Sequence, residues 1–198
     1  MSRIYYLMGK SSSGKDTIYK RLREAFPELR TVTLYTTRPR REGEREGVEY
    51  HFTDEAALAE FARSGKVIEQ RAYDTVCGVW KYFTVDDGQF DLEKEDYLMI
   101  GTLESYEKMR EYFGAEVLVP LYIQVEDGER LSRALLRERQ QAEPKYAEMC
   151  RRFLADTEDF SEENLRRAGI GVRYENTDVE DVLRKISERI QKDHRNLY

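Results

Sequence analysis

Two groups of residues in this sequence have the types and spacing needed to hold phosphate groups. Residues 9–15 read G-K-S-S-S-G-K, which matches the spacing G-x-x-x-x-G-K, and they follow a short apolar run. Glycine lets the backbone wrap an anion without a Cβ in the way, and the N–H groups at a helix start point toward it. Lys15 would reach the outer phosphates as a point charge. The run therefore predicts a phosphate-binding loop between a strand and a helix.

Asp16 stands where this type of loop usually carries a serine or threonine that ligates Mg²⁺. A carboxylate is also a hard oxygen ligand and can hold Mg²⁺ directly or through water. Without the metal, it would repel a polyphosphate by about 1–4 kcal/mol for each charge pair at about 4 Å. We therefore expect Asp16, with the nearby Thr17 hydroxyl, to hold Mg²⁺ and to make phosphate binding sharply metal-dependent.

The second group is an arginine-rich loop, in which Arg38, Arg40 and Arg41 precede Gly43. Guanidinium groups bind phosphate through paired hydrogen bonds, so this loop predicts a clamp for a second anion. Further basic residues flank a polar break between two predicted helices; they are Arg137, Arg139 and Arg152. A solvated charged surface would give the same composition, and the two interpretations stay open on composition alone.

Short apolar runs alternate with amphipathic stretches along the chain, which predicts an α/β fold with a mainly parallel sheet. The predicted strands cover residues 4–8, 31–34, 67–73, 79–85, 97–100, 117–125 and 172–175. The predicted helices cover residues 15–25, 54–64, 103–113, 127–139, 146–168 and 179–192. Cys77 and Gly78 form the predicted turn between two of these strands, and Asp54 is the predicted N-cap of the second helix.

Composition excludes several classes of protein. The chain has 198 residues, 40% of them hydrophobic, which is enough for a core and argues against a disordered chain. A formal net charge of -6 argues against nucleic acid or an anionic membrane as partners. No apolar run reaches the roughly 20 residues of a membrane span, and residues 1–8 lack the h-region of a signal peptide, so we expect neither feature. With only two cysteines, we expect reduced thiols in a cytoplasmic protein.

Two segments together carry a resemblance to a known family. Residues 36–44 read T-T-R-P-R-R-E-G-E, and residues 47–52 read G-V-E-Y-H-F. With the phosphate loop, they resemble guanylate kinases, which transfer the γ-phosphoryl group of ATP to GMP with Mg²⁺. The resemblance implies a three-layer P-loop kinase of one domain, residues 1–198, acting on nucleotides as a monomer or homodimer. It further implies an acceptor-binding subdomain at residues 35–85 and a helical lid at residues 137–152.

The resemblance also implies roles for individual residues. The expected ATP ligands are Gly9, Lys10, Ser11, Ser12, Ser13, Gly14, Lys15, Asp16, Thr17 and, at the adenine, Asn176. The expected acceptor ligands are Arg38, Arg41, Tyr50, Glu69, Gly78, Tyr82 and Thr102, with Glu69 accepting hydrogen bonds from guanine. Tyr82, or alternatively Tyr73, would replace a phosphate-binding tyrosine that the family has in its Y-G-[ST] turn and this chain lacks. Arg40 is an alternative to Arg41, because Pro39 comes one place earlier than in the family pattern. The expected catalytic residues are Lys15, Arg137, Arg139 and Arg152.

The sequence departs from the family at the positions that read the base. Leu34 and Val79 replace guanine-contacting hydroxyl residues, and Gly101-Thr102 follows the strand that normally ends in D-x-D. A site without its hydrogen-bond partners leaves polar base edges unpaired, at about 1–3 kcal/mol each. The G-K-D and G-T segments also resemble ribose 1,5-bisphosphate phosphokinases. A kinase of a sugar phosphate and a non-catalytic binding module therefore stay open beside guanylate kinase activity.

Overall fold

The computed structural model describes residues 2–75 and 78–195. Its strands are β1 (Ile4–Met8), β2 (Tyr35–Thr36), β3 (His51–Phe52), β4 (Val67–Thr75), β5 (Gly78–Val85), β6 (Tyr97–Gly101), β7 (Leu118–Gln124) and β8 (Arg173–Glu175). Its helices are α1 (Lys15–Ala25), α2 (Glu55–Arg63), α3 (Leu103–Phe113), α4 (Asp127–Arg139), α5 (Tyr146–Asp159), α6 (Glu162–Arg167) and α7 (Val179–Arg195). Within these described ranges, no helix combines the length and the apolar character that crossing a bilayer requires.

The main sheet has the strand order β6-β1-β7-β8, and every pair in it is parallel. Strand β1 lies in its interior and is buried throughout. Its side chains alternate between faces, so Ile4 and Met8 enter one core while Tyr5 and Leu7 enter the other. Helices cover both faces. The predicted three-layer α/β fold with a mainly parallel sheet is confirmed.

Amphipathic helices form the outer layers. On one face, Ile18 and Leu22 of α1 pack with Ile186 and Ile190 of α7, at the spacing of a single helix face. On the other face, α3 contributes Met109 and two further side chains. Each such buried side chain stabilises the fold by about 1.5–3 kcal/mol relative to exposure. This packing fixes the end of β1 and the start of α1, and therefore the loop between them.

A second, smaller sheet is built between residues 35 and 85. Its order is β3-β2-β5-β4, and β4 and β5 form a long antiparallel pair. Leu58 from α2 packs with Phe83 and Val85 on one side of this sheet. The hairpin agrees with the two strands predicted there, although Cys77 of the predicted turn lies outside the described residues. The treatment of residues 35–85 as an acceptor-binding subdomain stays a prediction.

The predicted strand at residues 31–34 is wrong. These residues are irregular, and the ladder contact with β6 is a single bridge at Arg30. The backbone N–H of Thr33 donates to the side chain of Gln89 at 2.9 Å, and the Gln89 amide donates back to the Thr33 carbonyl at 3.2 Å. A side chain thus satisfies the groups that a neighbouring strand would otherwise pair.

The predicted single helix at residues 146–168 is also wrong, because the chain divides it into α5 and α6. Phe160 leaves α5 and stacks on Tyr122 in the core, with ring centroids 5.5 Å apart. Ser161 is extended and caps α6 by accepting a hydrogen bond from the Asn164 N–H at 3.4 Å. Core burial of one aromatic ring and a new N-cap together outweigh the helical propensity of the surrounding residues.

Candidate active site

The predicted phosphate loop connects β1 to α1 and has a backbone that depends on glycine. Gly14 precedes the helix with a φ of 84°, in the left-handed region, and Ser12 has a φ of 65°. A Cβ on Gly9 would lie 2.6 Å from the carbonyl oxygen of Ile123 in β7. A Cβ on Gly14 would lie 2.5 Å from the amide nitrogen of Asn176. Both glycines are therefore required by close packing around the loop.

Two serine side chains in the loop fit an anionic ligand. The hydroxyl groups of Ser12 and Ser13 are buried, and neither has a hydrogen-bond partner among the described residues. A buried hydroxyl without a partner costs free energy, and a phosphate oxygen is an acceptor that could satisfy it. The predicted roles of these serines in ATP binding are chemically consistent with this arrangement.

Lys10 and Ser11 have protein partners from α4 and α5. The Lys10 ammonium lies 3.2 Å from Asp127, and the Ser11 N–H donates to the Asp156 carboxylate at 2.7 Å. Arg130 joins both acids, at 3.1 Å from Asp127 and 3.5 Å from Asp156. The beginning of the loop is thus tied to α4 and α5.

Arg130 was not among the predicted site residues, yet it is among the most buried charged groups described. Its side chain is 1% exposed, and its guanidinium lies 3.8 Å from the ring centroid of Phe153. A buried guanidinium needs both charge partners and hydrogen bonds. The sequence signal that could have found it is the Asp127–Arg130 spacing of three residues on one helix face.

Lys15, Asp16 and Thr17 open α1. The Lys15 ammonium lies 3.4 Å from the Asp16 carboxylate, whose side chain is 83% exposed; Thr17 is also exposed. No cluster of three potential metal ligands of the His, Cys, Asp or Glu type occurs within the described parts of the chain. Mg²⁺ commonly binds one or two carboxylates together with the phosphates of its substrate. One accessible carboxylate beside the loop fits a Mg²⁺ ion that arrives with a triphosphate.

Asn176 holds the phosphate loop through a hydrogen bond to its main chain. Its side-chain amide donates to the Ser13 carbonyl at 2.8 Å, and the residue is 2% exposed. It also borders a cavity of about 490 Å³ at the carboxyl end of β8, together with Glu126, Arg133 and Thr177. The predicted contact of Asn176 with adenine is compatible with this cavity, but the side-chain amide itself is committed to the loop.

Arg38 is the centre of the predicted acceptor clamp. It is 3% exposed and forms a bidentate pair with Glu44, at 2.8 Å and 2.5 Å, while its guanidinium lies 5.2 Å from the ring centroid of Tyr50. Hydrogen bonds from Arg38 and from the Arg41 N–H lower the pKa of Glu44 to about 2. The hydrogen bond to Glu44 likewise raises the pKa of Arg38, despite its burial.

Tyr82 joins the same cluster through its ring. The ring lies edge-on to Tyr50 at 5.5 Å and to Tyr73 at 5.7 Å. Tyr82 also helps to raise the pKa of Arg38, after the larger effect of Glu44. The structure therefore brings together three predicted acceptor ligands, Arg38, Tyr50 and Tyr82. Glu44 was not among the predicted site residues. It lies three residues after Arg41, in E-G-E, which is close enough in sequence for its carboxylate to pair with an arginine of the same loop.

Glu69 is buried in a polar pair of its own. Arg71 donates to both of its carboxylate oxygens, at 2.9 Å and 3.2 Å, and the Thr84 hydroxyl donates at 2.8 Å. Arg71 and Thr84 were not predicted site residues. The remaining two predicted ligands have structural positions: Gly78 begins β5 with a φ of 106°, and Thr102 caps α3 by accepting from the Ser105 N–H at 3.2 Å.

The acceptor loop and the predicted lid share a basic cavity. Arg41, Arg137, Lys145 and Arg152 line a space of about 730 Å³. Glu138 and Glu143 also line it, so cations outnumber acids by four to two. Arg139 is exposed and is not among the described residues that line it. Cations from two different segments thus face the same space, where they could close around polyanions.

A family model described as guanylate kinase matches residues 1–78, which contain the phosphate loop, the arginine loop and Glu69. The resemblance to guanylate kinases is confirmed. Proteins named guanylate kinase from Frankia casuarinae and Chlorobium luteolum are 42% and 38% identical over 67 and 73 residues. These matches cover 34% and 37% of this chain.

The extent of the likeness differs between sequence and fold. The two matches span only about a third of the relatives' own length, 36% and 37%. A crystal structure of guanylate kinase from Anaplasma phagocytophilum aligns with 97% of this chain and 86% of its own, with a TM-score of 0.63 at 21% identity. The likeness of fold therefore extends over nearly the whole chain, well beyond residues 1–78 that the family model matches.

Proposed function

We propose that this protein transfers the γ-phosphoryl group of ATP to the phosphate of a nucleoside monophosphate, with GMP converted to GDP. The observation that carries the proposal is the placement of Arg41 with Arg137 and Arg152 around one cavity. Such an arrangement suits two polyphosphates held side by side, because positive charge there offsets the charge that develops on the transferred group. The names of the relatives favour GMP as the acceptor.

On the donor side, the Lys15 ammonium and those backbone N–H groups of residues 9–15 that have no protein acceptor bind the ATP phosphates. The Ser11 N–H is already held by Asp156. The unpartnered Ser12 and Ser13 hydroxyls add two donors. Asp16 and Thr17 hold Mg²⁺, which neutralises phosphate charge when it is bound. These residues position the γ-phosphoryl group for in-line transfer, and no covalent intermediate with the protein is needed.

On the acceptor side, Arg38, Tyr50 and Tyr82 bind the phosphate that receives the phosphoryl group. Arg137 and Arg152 approach from the lid and exclude water as the site closes. A general base is unnecessary, because the acceptor phosphate is already anionic near neutral pH. Arg139 keeps its proposed catalytic role only if closure moves it into the cavity that Arg137 lines.

A sugar phosphate is the second candidate acceptor. The specific observation in its favour is that the Glu69 carboxylate is already paired with Arg71 and Thr84, so a guanine base would have to compete for it. The non-catalytic alternative is less well supported, because a pure binding module has no use for Lys15 and a cavity lined by arginines from the lid.

The test is a coupled ADP-release assay with ATP and Mg²⁺ across GMP, dGMP, AMP, UMP and ribose 1,5-bisphosphate. We expect GMP to give the highest kcat/KM and omission of Mg²⁺ to abolish turnover. Higher kcat/KM with ribose 1,5-bisphosphate would replace the proposed acceptor. An absence of ATP binding in the presence of Mg²⁺ would refute the kinase activity altogether.

A further inference from the structure

Glu69 and Arg71 lie on one face of the β4–β5 hairpin, beside the acceptor-phosphate cluster. Arg71 pairs with Tyr82 across the ladder, and Glu69 pairs with Thr84, so these four side chains lie on the same face. The Tyr82 ring contacts the Tyr50 ring, with centroids 5.5 Å apart, and the Arg38 guanidinium lies 5.2 Å from the Tyr50 centroid. A phosphate ester bound at Arg38 and Tyr82 would therefore direct its other end along the hairpin toward Glu69 and Arg71.

In the Glu69–Arg71 pair, most acceptor positions of Glu69 are used, whereas most N–H donors of Arg71 are not used by Glu69. The Glu69 carboxylate has about four acceptor positions, and three are used by the two Arg71 donors and the Thr84 hydroxyl. A guanidinium has five N–H donors, of which Glu69 takes only two. The side chains of Glu69 and Arg71 are 1% and 10% exposed, so neither is a freely solvated surface charge.

The balance of hydrogen-bond donors and acceptors around Glu69 and Arg71 depends on this pairing. If Glu69 were unpaired, it would offer acceptors to the N–H groups on the Watson–Crick edge of guanine. With Arg71 bound to it, the site offers donors from Arg71 and few acceptors from Glu69. An arginine matches the O6 and N7 acceptors of a 6-oxopurine in a bidentate geometry, whereas adenine presents an amino donor in place of O6.

We propose that Arg71 is the residue that reads the base of the acceptor nucleotide, through O6 and N7 of a 6-oxopurine. The assignment rests on the proposed function and makes it narrower. Glu69 orients Arg71 in this arrangement and is a positioning residue. The 2-amino group of guanine goes largely unread, so IMP is accepted about as well as GMP, while AMP is rejected.

The test is equilibrium binding of GMP, IMP and AMP without ATP, measured by calorimetry, alongside the ADP-release assay. We expect the dissociation constants of GMP and IMP to agree within about threefold and that of AMP to be about tenfold to hundredfold higher. Arg71→Met raises the constants for GMP and IMP by a similar factor and leaves AMP unchanged. Arg71→Lys, which keeps the charge but loses the paired geometry, has an intermediate effect.

Two further variants keep the test decisive. Arg71→Met leaves Glu69 buried without its cation and could unfold the hairpin, so the double variant Glu69→Gln with Arg71→Met removes both charges together. Glu69→Gln alone retains an acceptor for Arg71, and we expect it to preserve the ratio of GMP to IMP affinity. Arg63→Ala is the control, because Arg63 is exposed on α2 and pairs only with Glu60 among the described residues.

Each outcome separates this assignment from the proposed function. Binding of IMP more than tenfold weaker than that of GMP, or an unchanged preference over AMP in every Arg71 variant, would overturn the assignment. ADP release with GMP under those results would leave the kinase proposal standing. The expected binding pattern without any ADP release would refute the kinase proposal and retain Arg71 as the base-reading residue. Failure to bind either purine would refute both.

Discussion

The phosphate loop and the acceptor cluster bind anions by different means. In the loop, the main chain supplies most of the donors, and its path is enforced at Gly9 and Gly14 by contacts that a Cβ would break. In the acceptor cluster, side chains do the work, and the arginines already have acidic partners: Arg38 pairs with Glu44, and Arg71 pairs with Glu69.

This difference explains which part of the function can be inferred from spacing. A main-chain site tolerates changed side chains, so Asp16 can replace the usual hydroxyl residue while the strand, loop and helix remain in place. In a site built from side chains, one additional partner, such as Arg71 beside Glu69, changes whether the site offers hydrogen-bond donors or acceptors. The identity of the acceptor therefore depends on contacts such as Arg71–Glu69 more than on the family motif around them.

The largest effect is expected from Lys15→Ala. Lys15 is the lysine of the loop that we expect to contact the outer phosphates, since Lys10 is paired with Asp127, so its loss should lower kcat by at least about 10²–10³-fold while the fold remains. ADP release measures the activity, and the thermal midpoint checks the fold. Lys20→Ala, an exposed change on the same helix, should leave both values near wild type. Substantial turnover by the Lys15 variant would show that the main chain alone is sufficient for the donor site.

A smaller and more selective effect is expected from Arg38→Lys. Lysine keeps the charge but cannot hold Glu44 and a phosphate in bidentate geometry, so the KM for the acceptor should rise about tenfold to hundredfold. The KM for ATP should stay within about twofold, because Arg38 lies on the acceptor side. Arg30→Lys, at an exposed pair with Glu95, is the matched control. Equal increases in both KM values would mean that the two sites are not separate.

The same contrast accounts for what the sequence could predict. The order of strands and helices followed from apolar periodicity, and α1, α3 and α4 have the predicted bounds, because their apolar faces and end signals agree. The irregular residues 31–34 and the break at Phe160 were missed, since each depends on one tertiary partner, Gln89 or Tyr122. No local sequence pattern predicts a tertiary partner of this kind.

The candidate site divides in the same way. The phosphate loop could be located from glycine spacing, because its geometry is a backbone property. The arginine-rich loop also indicated Arg38, and the family resemblance indicated Tyr50 and Glu69. Neither indicated Glu44 or Asp156. Glu44 and Asp156 act through contacts that depend on the folded chain, the second across 145 positions of sequence. The partner of Asp156 at that separation is the backbone N–H of Ser11, and motif analysis cannot detect such a contact.

Asn176→Ala tests whether this residue contributes to the ATP site through the phosphate loop or through direct contact with adenine. Because its side-chain amide donates to the Ser13 carbonyl, its loss should loosen the loop and raise the KM for ATP by about fivefold to tenfold, the size of one hydrogen bond. If the residue acts through the loop, the KM for GTP as phosphoryl donor should rise by the same factor. A change confined to ATP would instead indicate direct recognition of adenine.

The smallest effect is expected from Glu44→Gln, and it appears in the pH dependence of stability. The pKa of Glu44 is lowered from its ordinary 4.5 to about 2 by Arg38 and the Arg41 N–H, so its stabilisation is complete above the ordinary pKa and is lost as the pH falls toward about 2. The variant should therefore melt about 1–3 °C below wild type near pH 7, and the gap should narrow as the pH falls below about 4.5 and close near pH 2. A gap that stays constant over this range would mean that the carboxylate charge does not hold Arg38, and that the acceptor cluster relies on packing around Tyr50 instead.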